Sequence, residues 1–306
     1  MRVLVAIDGS DSARLAVDLV ADVAWPAGTA IRIVEAIETE AALFGGPWPA
    51  LALVQADEFE ARLRLGANAT LHEAAARLTR PGLAVESAVL RGRPAAALVD
   101  DARRMAAELI IVGSRGHGTI ESMLLGSVSA EVIDHAMTPV LVARCRRIDR
   151  VLLAWDGSTG AARAAELLHK WPIFAQSSVR VVSVAEIEIP WWPDFPGAGS
   201  PELMETYFAA ADASRRRHDL LASEMTVKLQ AAGLTAEADR REGDAATEIL
   251  AAAQAFKADL ILLGTRGRTG VARLALGSVA RNVLHHASSS ILVVRETPRE
   301  ASKTDA

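Results

Sequence analysis

Two stretches of this 306-residue chain carry glycines at one repeated spacing. In "GSRGHGTIESMLLGS" (113–127), Gly113 and Gly116 are followed after nine residues by the pair Gly126-Ser127; "GTRGRTGVARLALGS" (264–278) places Gly264, Gly267, Gly277 and Ser278 at the same separations. Neither stretch contains the Lys that a P-loop requires. Glycines so placed admit positive backbone dihedrals and let the main chain approach a bulky anion, with backbone amides facing it. Each Gly-Ser pair then opens a helix with an apolar face, Val128, Val132, Ile133 and Ala136 in the first copy and Val279, Val283, Leu284 and Ala287 in the second. The start of such a helix offers unpaired amides, the positive end of the helix dipole and a hydroxyl, together suited to phosphate oxygens. Arg115, His117, Arg266 and Arg268 lie inside the loops, where they would neutralise phosphates or stand as solvated charges.

The elements that must position these loops repeat as well. "VLVAIDGS" (3–10) answers "VLLAWDGS" (151–158), "IRIVEA" (31–36) answers "VRVVSV" (179–184), and "AELIIVGSRG" (107–116) answers "ADLILLGTRG" (258–267). Each half alternates short apolar strands with longer Ala-rich helical stretches, the pattern of a parallel sheet covered on both faces. In the first half strands are expected at 2–7, 30–36, 84–90, 108–113 and 139–144. Helices are expected from Ser10 to Trp25, over 51–79, from Pro94, and from Gly126-Ser127; Ser158 and Asp244 take the corresponding caps in the second half. The third strand of the second half, "TAEADRRE", is polar enough for a sheet edge. Strand order 3-2-1-4-5 places it there and makes strands 1 and 4 neighbours where the winding reverses. The glycine turn after strand 4 then faces Asp8, or Asp156, at the end of strand 1.

Length favours two domains, 1–146 and 147–306, joined by little more than "RRIDR" (146–150). A formal net charge of -5 with interleaved Lys-Arg and Asp-Glu argues against a nucleic-acid partner. No run approaches the roughly 20 apolar residues of a membrane span, and the lone Cys145 allows no intramolecular disulfide, so a cytoplasmic protein with no membrane partner is expected. His285 and His286 are adjacent on a helix and do not make a metal pair. Trp191 and Trp192 are expected to pin their own loop rather than to form a lid.

With these residues set out, both halves resemble universal stress protein domains, whose ATP-binding members carry G-x2-G-x9-G-[S/T]. The likeness runs over essentially the whole chain, including "AIDGS", "AWDGS" and the fifth strands "PVLVAR" and "SILVVR". It implies a five-stranded α/β sandwich in each half, ATP with Mg2+ in the crevice, and an intramolecular pseudo-dimer through the last strands, with a homodimer left open. By motif position the acidic nucleoside contact falls on Asp8 and Asp156, and the backbone contact to adenine falls near Ala36 and Val184. Glu108 replaces the family's Asp before strand 4, Ser290 replaces its Pro before the second fifth strand, and Trp155 stands where the first half has Ile7, where it would stack on or crowd adenine. The resemblance implies a nucleotide-dependent stress-response regulator. No residue of the motifs evidently orients an attacking water or accepts its proton, so slow ATP hydrolysis at most is expected. A slow ATPase or adenylate-handling enzyme, and a scaffold whose second site has lost its ligand, remain the alternatives.

Overall fold

A computed structural model describes residues 1–38, 56–116, 125–186, 200–265 and 276–295. The first half runs β1 (Arg2–Ala6), α1 (Asp11–Asp22), β2 (Thr29–Ile37), α2 (Ala56–Leu78), β3 (Leu83–Arg91), α3 (Pro94–Arg104), β4 (Leu109–Gly113), α4 (Ser127–His135) and β5 (Val140–Ala143). The second half repeats the series as β6 (Arg150–Ala154), α5 (Thr159–Lys170), β7 (Ser178–Ala185), α6 (Pro201–Ala231), β8 (Thr235–Glu242), α7 (Ala245–Phe256), β9 (Leu260–Gly264), α8 (Ser278–His286) and β10 (Ser290–Val294). All ten strands form one sheet in the order 3-2-1-4-5-10-9-6-7-8, so each half has the expected order 3-2-1-4-5.

Pairing is parallel within each half, for example Leu4 with both Arg32 and Ile110, and antiparallel only where β5 meets β10. Alternation along the strands divides the core between two faces. Val3 and Val5 point to the side covered by α1, α2, α5 and α6, whereas Leu4 points to the side covered by α3, α4, α7 and α8. Edge strand β8 is polar: it pairs only with β7 and carries ion pairs from Glu237 to Arg180 and from Glu242 to Arg215. Charge on an edge strand discourages pairing with another chain.

Serines and an aspartate start the helices as their types predict. Ser10, Ser158, Ser200 and Asp244 each accept a hydrogen bond from an amide of the first turn they precede. The first helix stops at Asp22 rather than Trp25, whose indole instead donates to the Val20 carbonyl at 2.8 Å. The short connection between halves is packed down: Ile148 is buried, its carbonyl accepts from Ser177 Oγ at 2.7 Å, and Arg146 pairs with Asp18. Glu108 and Asp259 do the same job in the two halves, accepting the backbone amides of Arg2 at 2.8 Å and Arg150 at 2.9 Å. Exchange of Asp for Glu at 108 is therefore structural.

The Asp244 cap is a measurable part of this framework. Hydrogen bonds from the Thr247 hydroxyl and then its amide hold the Asp244 carboxyl below its ordinary pKa. A depressed folded-state pKa stabilises the fold above the unfolded pKa and is lost as pH falls through the folded one. Asp244→Ala should cost about 1 kcal/mol near neutral pH. In urea titrations that gap between variant and parent should close as the pH drops below the ordinary aspartate range; a gap independent of pH would contradict the cap.

Candidate functional site

At the carboxyl edge of the first half, the turns after β1 and β4 interlock. Gly9 takes a positive φ of 79° directly after Asp8, and Gly157 takes 77° after Asp156, so the turn's left-handed residues belong to the Asp-Gly-Ser motif. Gly113 and Gly116 are not among the positive-φ glycines, which corrects the expectation drawn from their spacing. Close approach explains them instead. A Cβ on Gly113 would stand 2.6 Å from Ser12 Oγ and 2.9 Å from the Ser12 backbone carbon, and one on Gly264 would stand 2.6 Å from the Gly160 backbone carbon. The first glycine of each frame therefore lets β4 or β9 pass against the opening turn of α1 or α5.

Gly116 meets the acidic residue itself: its Cβ would lie 2.6 Å from Asp8 Oδ2. The other oxygen, Asp8 Oδ1, accepts the Ser10 amide at 3.0 Å and the Ser10 hydroxyl at 2.6 Å. Asp156 Oδ1 likewise accepts the Ser158 amide at 2.9 Å. Both acids thus brace their turns while lying at the crevice. Ser12, which the motif reading passed over, is bound to the loop from both sides: its Oγ accepts the Arg115 amide at 3.1 Å and donates to the Arg115 carbonyl. The Arg115 amide consequently faces α1 rather than a ligand, a second correction.

The frame closes on α4. The Gly126 amide donates to the Ser114 carbonyl at 2.7 Å, and Ser129 Oγ donates to the Gly113 carbonyl at 2.7 Å, tying the helix start to the end of β4. A Cβ at Gly126 would meet only ordinary contacts, the nearest being Arg115 Cα at 3.4 Å. Gly126 is the N-cap of α4 and Gly277 that of α8, and in neither does a side chain cap the first-turn amides. Ser127 and Ser278 are the first residues of those helices and are solvent-exposed. Gly277 repeats the tie, its amide donating to the Thr265 carbonyl at 2.8 Å.

Asp8, Arg115, Gly116, Gly126 and Ser127 are therefore brought to one sheet edge, and Asp156, Gly264, Gly277 and Ser278 to the matching edge of the second half. Ala36 and Val184 are the penultimate residues of β2 and β7, two residues past Val34 and Val182, whose carbonyls accept the Ile7 amide at 2.9 Å and the Trp155 amide at 2.8 Å. His117, Arg266, Gly267 and Arg268 lie outside the described residues, as do Trp191 and Trp192. Trp155 packs against the core cluster on the α5 and α6 side; its Nε1 is buried and has no hydrogen-bond partner among the described residues. A groove of about 540 Å³ opens between α1 and α2, reaching Ile7 and Gly9 on either side of Asp8 and lined further out by Arg14, Asp18, Arg77 and Arg146; its lining includes neither Gly116 nor Ser127.

Close approach to backbone makes the first glycine of each frame hard to replace. Gly113→Ala and Gly264→Ala should each destabilise by about 1–3 kcal/mol, the cost of overpacking against backbone. Gly126→Ala, with its open contacts and a φ of -76° that any residue adopts, should change stability far less. Urea midpoints decide this, and a Gly113→Ala variant as stable as the parent would overturn the packing role.

The description "Universal stress protein family" matches residues 1–144 and again 147–295. Universal stress protein MJ0531 of Methanocaldococcus jannaschii is 31% identical over 152 residues, covering 49% of this chain and 84% of that protein. Universal stress protein Rv2623 of Mycobacterium tuberculosis is 25% identical over 311 residues, 96% of each chain. Among solved structures, a universal stress protein from Archaeoglobus fulgidus superimposes with a TM-score of 0.67 at 20% identity, covering 97% of this chain and 98% of its own, a likeness of fold. With both halves matched and one strand order repeated, the chain belongs to the universal stress protein family and carries two of its domains in tandem.

Proposed function

We propose that this protein binds ATP in each half and acts as a nucleotide-dependent stress-response regulator, its domains being 1–146 and 147–306. One observation carries the reading. Helices α1, α5, α6 and α7 begin with a side-chain cap, but α4 and α8 begin at glycine with none, and these are the two helices that close the glycine frames. α3 also lacks a side-chain cap, but it opens on Pro94 and has no glycine frame. Uncapped amides at the positive end of a helix favour an anion.

ATP fits the residues present. The first-turn amides of α4 and the Ser127 hydroxyl would hold phosphate oxygens, Asp8 would contact the nucleoside, and backbone near Ala36 would meet adenine. Asp156, Ser278 and Val184 would serve the second half, with Gly264 and Gly277 shaping its loop. Arg115, His117, Arg266, Gly267 and Arg268 complete the proposed set from within the loops. Among the described residues no cluster of three His, Cys, Asp or Glu side chains could hold a metal, so Mg2+ would be carried on the phosphates. No helix among them is long and apolar enough to cross a membrane.

Contacts that grip substrate and transition state equally tighten binding without raising turnover. The proposed site is therefore a sensor of bound nucleotide. The alternative is a slow ATPase or adenylate-handling enzyme of a related α/β fold.

Ser127→Asp and Ser278→Asp place a carboxylate in the first helical turn, where it suits the helix but repels phosphate. Each lost charged hydrogen bond is worth about 1.5–3 kcal/mol, so the double variant should bind ATP at least about tenfold more weakly by calorimetry while unfolding at the parent's temperature. cAMP, which has no free polyphosphate, should bind the parent more weakly than ATP. Unchanged ATP affinity in the double variant would falsify the assignment. ATP turnover should stay well below the roughly 10 s⁻¹ of a median enzyme; fast release of phosphate, or of AMP with pyrophosphate, that depends on Ser127 and Ser278 would favour the enzyme reading.

A further inference from the structure

The two fifth strands end alike, "VLVAR" at 140–144 and "ILVVR" at 291–295, and both terminal arginines cross the seam between the halves. Arg144 Nη1 donates to the Ala287 carbonyl at 2.8 Å and its Nη2 to the Leu284 carbonyl at 2.7 Å, at the C-terminal end of α8. Arg295 answers in reverse. Its Nε and Nη2 donate to the Ile133 carbonyl at 3.2 and 3.0 Å, and Nη2 also reaches the Asp134 carbonyl, in the last turn of α4. Those carbonyls are among the acceptors that every helix end leaves unpaired.

We propose that Arg144 and Arg295 are positioning residues acting in trans, each closing the last turn of the helix whose first turn holds phosphate in the opposite half. The proposal rests on the nucleotide-binding reading given above. α4 and α8 are nine-residue helices, so both ends of each are close to its middle. An anion at the N-terminus and a guanidinium at the C-terminus complement the same dipole, and the arginine fixes the orientation from which the first-turn amides point. Removing the solvent from a guanidinium is costly unless its donors are met. Arg295 is 8% exposed, and Arg144 is desolvated enough that its pKa falls to about 10, with Arg115 of the glycine loop adding like-charge repulsion. Arg144 therefore remains charged at neutral pH.

The arginines also follow the residues that pair with their own half's first glycine, Ala143 with Gly113 and Val294 with Gly264. Each thus stands between one half's loop and the other half's phosphate helix. Neither half has both ends of its phosphate helix satisfied without the other.

The test uses the full chain with one site silenced at a time. With Ser278→Asp in place, ATP reports the first-half site; with Ser127→Asp, it reports the second. Arg295→Gln should weaken the first-half site about two- to fivefold and the second-half site by less, and Arg144→Gln should show the opposite preference. Arg295→Lys and Arg144→Lys, which keep the charge and one carbonyl bond, should recover most of the loss, and they carry the same crossed comparison if a Gln variant does not fold. Arginine effects confined to the arginine's own half, equal in both, or absent would overturn the proposal while ATP binding stands. Failure of the unsubstituted chain to bind ATP would instead overturn the nucleotide reading, and this proposal with it.

Discussion

The antiparallel pairing of β5 with β10 is the interaction on which the rest of the molecule depends. Val140 with Val293, Leu141 with Leu292 and Val142 with Ile291 are three pairs of buried residues, and they convert two five-stranded parallel sheets into one sheet of ten. Without this seam each half would expose a short, largely apolar edge, the kind that invites pairing with any available strand. With it, β3 and the polar β8 are the only edges of the sheet among the described residues. The seam also sets how close each half's last helix lies to the other half's last strand, which is what brings Arg144 and Arg295 within reach of carbonyls across the interface.

The halves are joined asymmetrically, and one substitution shows why. Ser290 stands where Pro139 stands in the first half. Its hydroxyl accepts the amides of Arg144 at 3.0 Å and Cys145 at 2.9 Å, and its own amide donates to the Asp259 carbonyl at 2.9 Å. A proline could make none of these bonds. Departure from the repeat at this position therefore ties the connection between halves to the second half's last strand. The same logic separates Ser12 from Gly160: a hydroxyl clasps the first loop, whereas in the second half a second glycine lets α5 come against Gly264.

Much of this was legible in the sequence because the signals were local. Strand order followed from the polar "TAEADRRE" and the crossover rule, helix starts from Ser10, Ser158 and Asp244, and the tandem family from two complete glycine frames. What was misread concerns distances between elements that sequence spacing does not contain. Gly113 looked like a residue for an anion, but it is a glycine because β4 passes within contact of the α1 backbone. Trp155 was expected to stack on or crowd adenine; directly after β6, it packs against the core cluster on the α5 and α6 side. Ser12 and the two arginines carried no motif of their own, although the matching "VAR" and "VVR" endings were visible; their partners lie more than 100 residues away.

The glycine frames have two distinct duties in this account, one of packing and one of recognition, and only the second concerns ligand. Gly113 and Gly264 serve close approach of strand to helix, while the uncapped starts of α4 and α8 are the places where the proposed nucleotide would set its phosphates. Nucleotide stoichiometry tests that division most directly. Equilibrium dialysis of the folded chain against ATP should reach two nucleotides per chain, and no saturable binding by the folded protein would contradict the account.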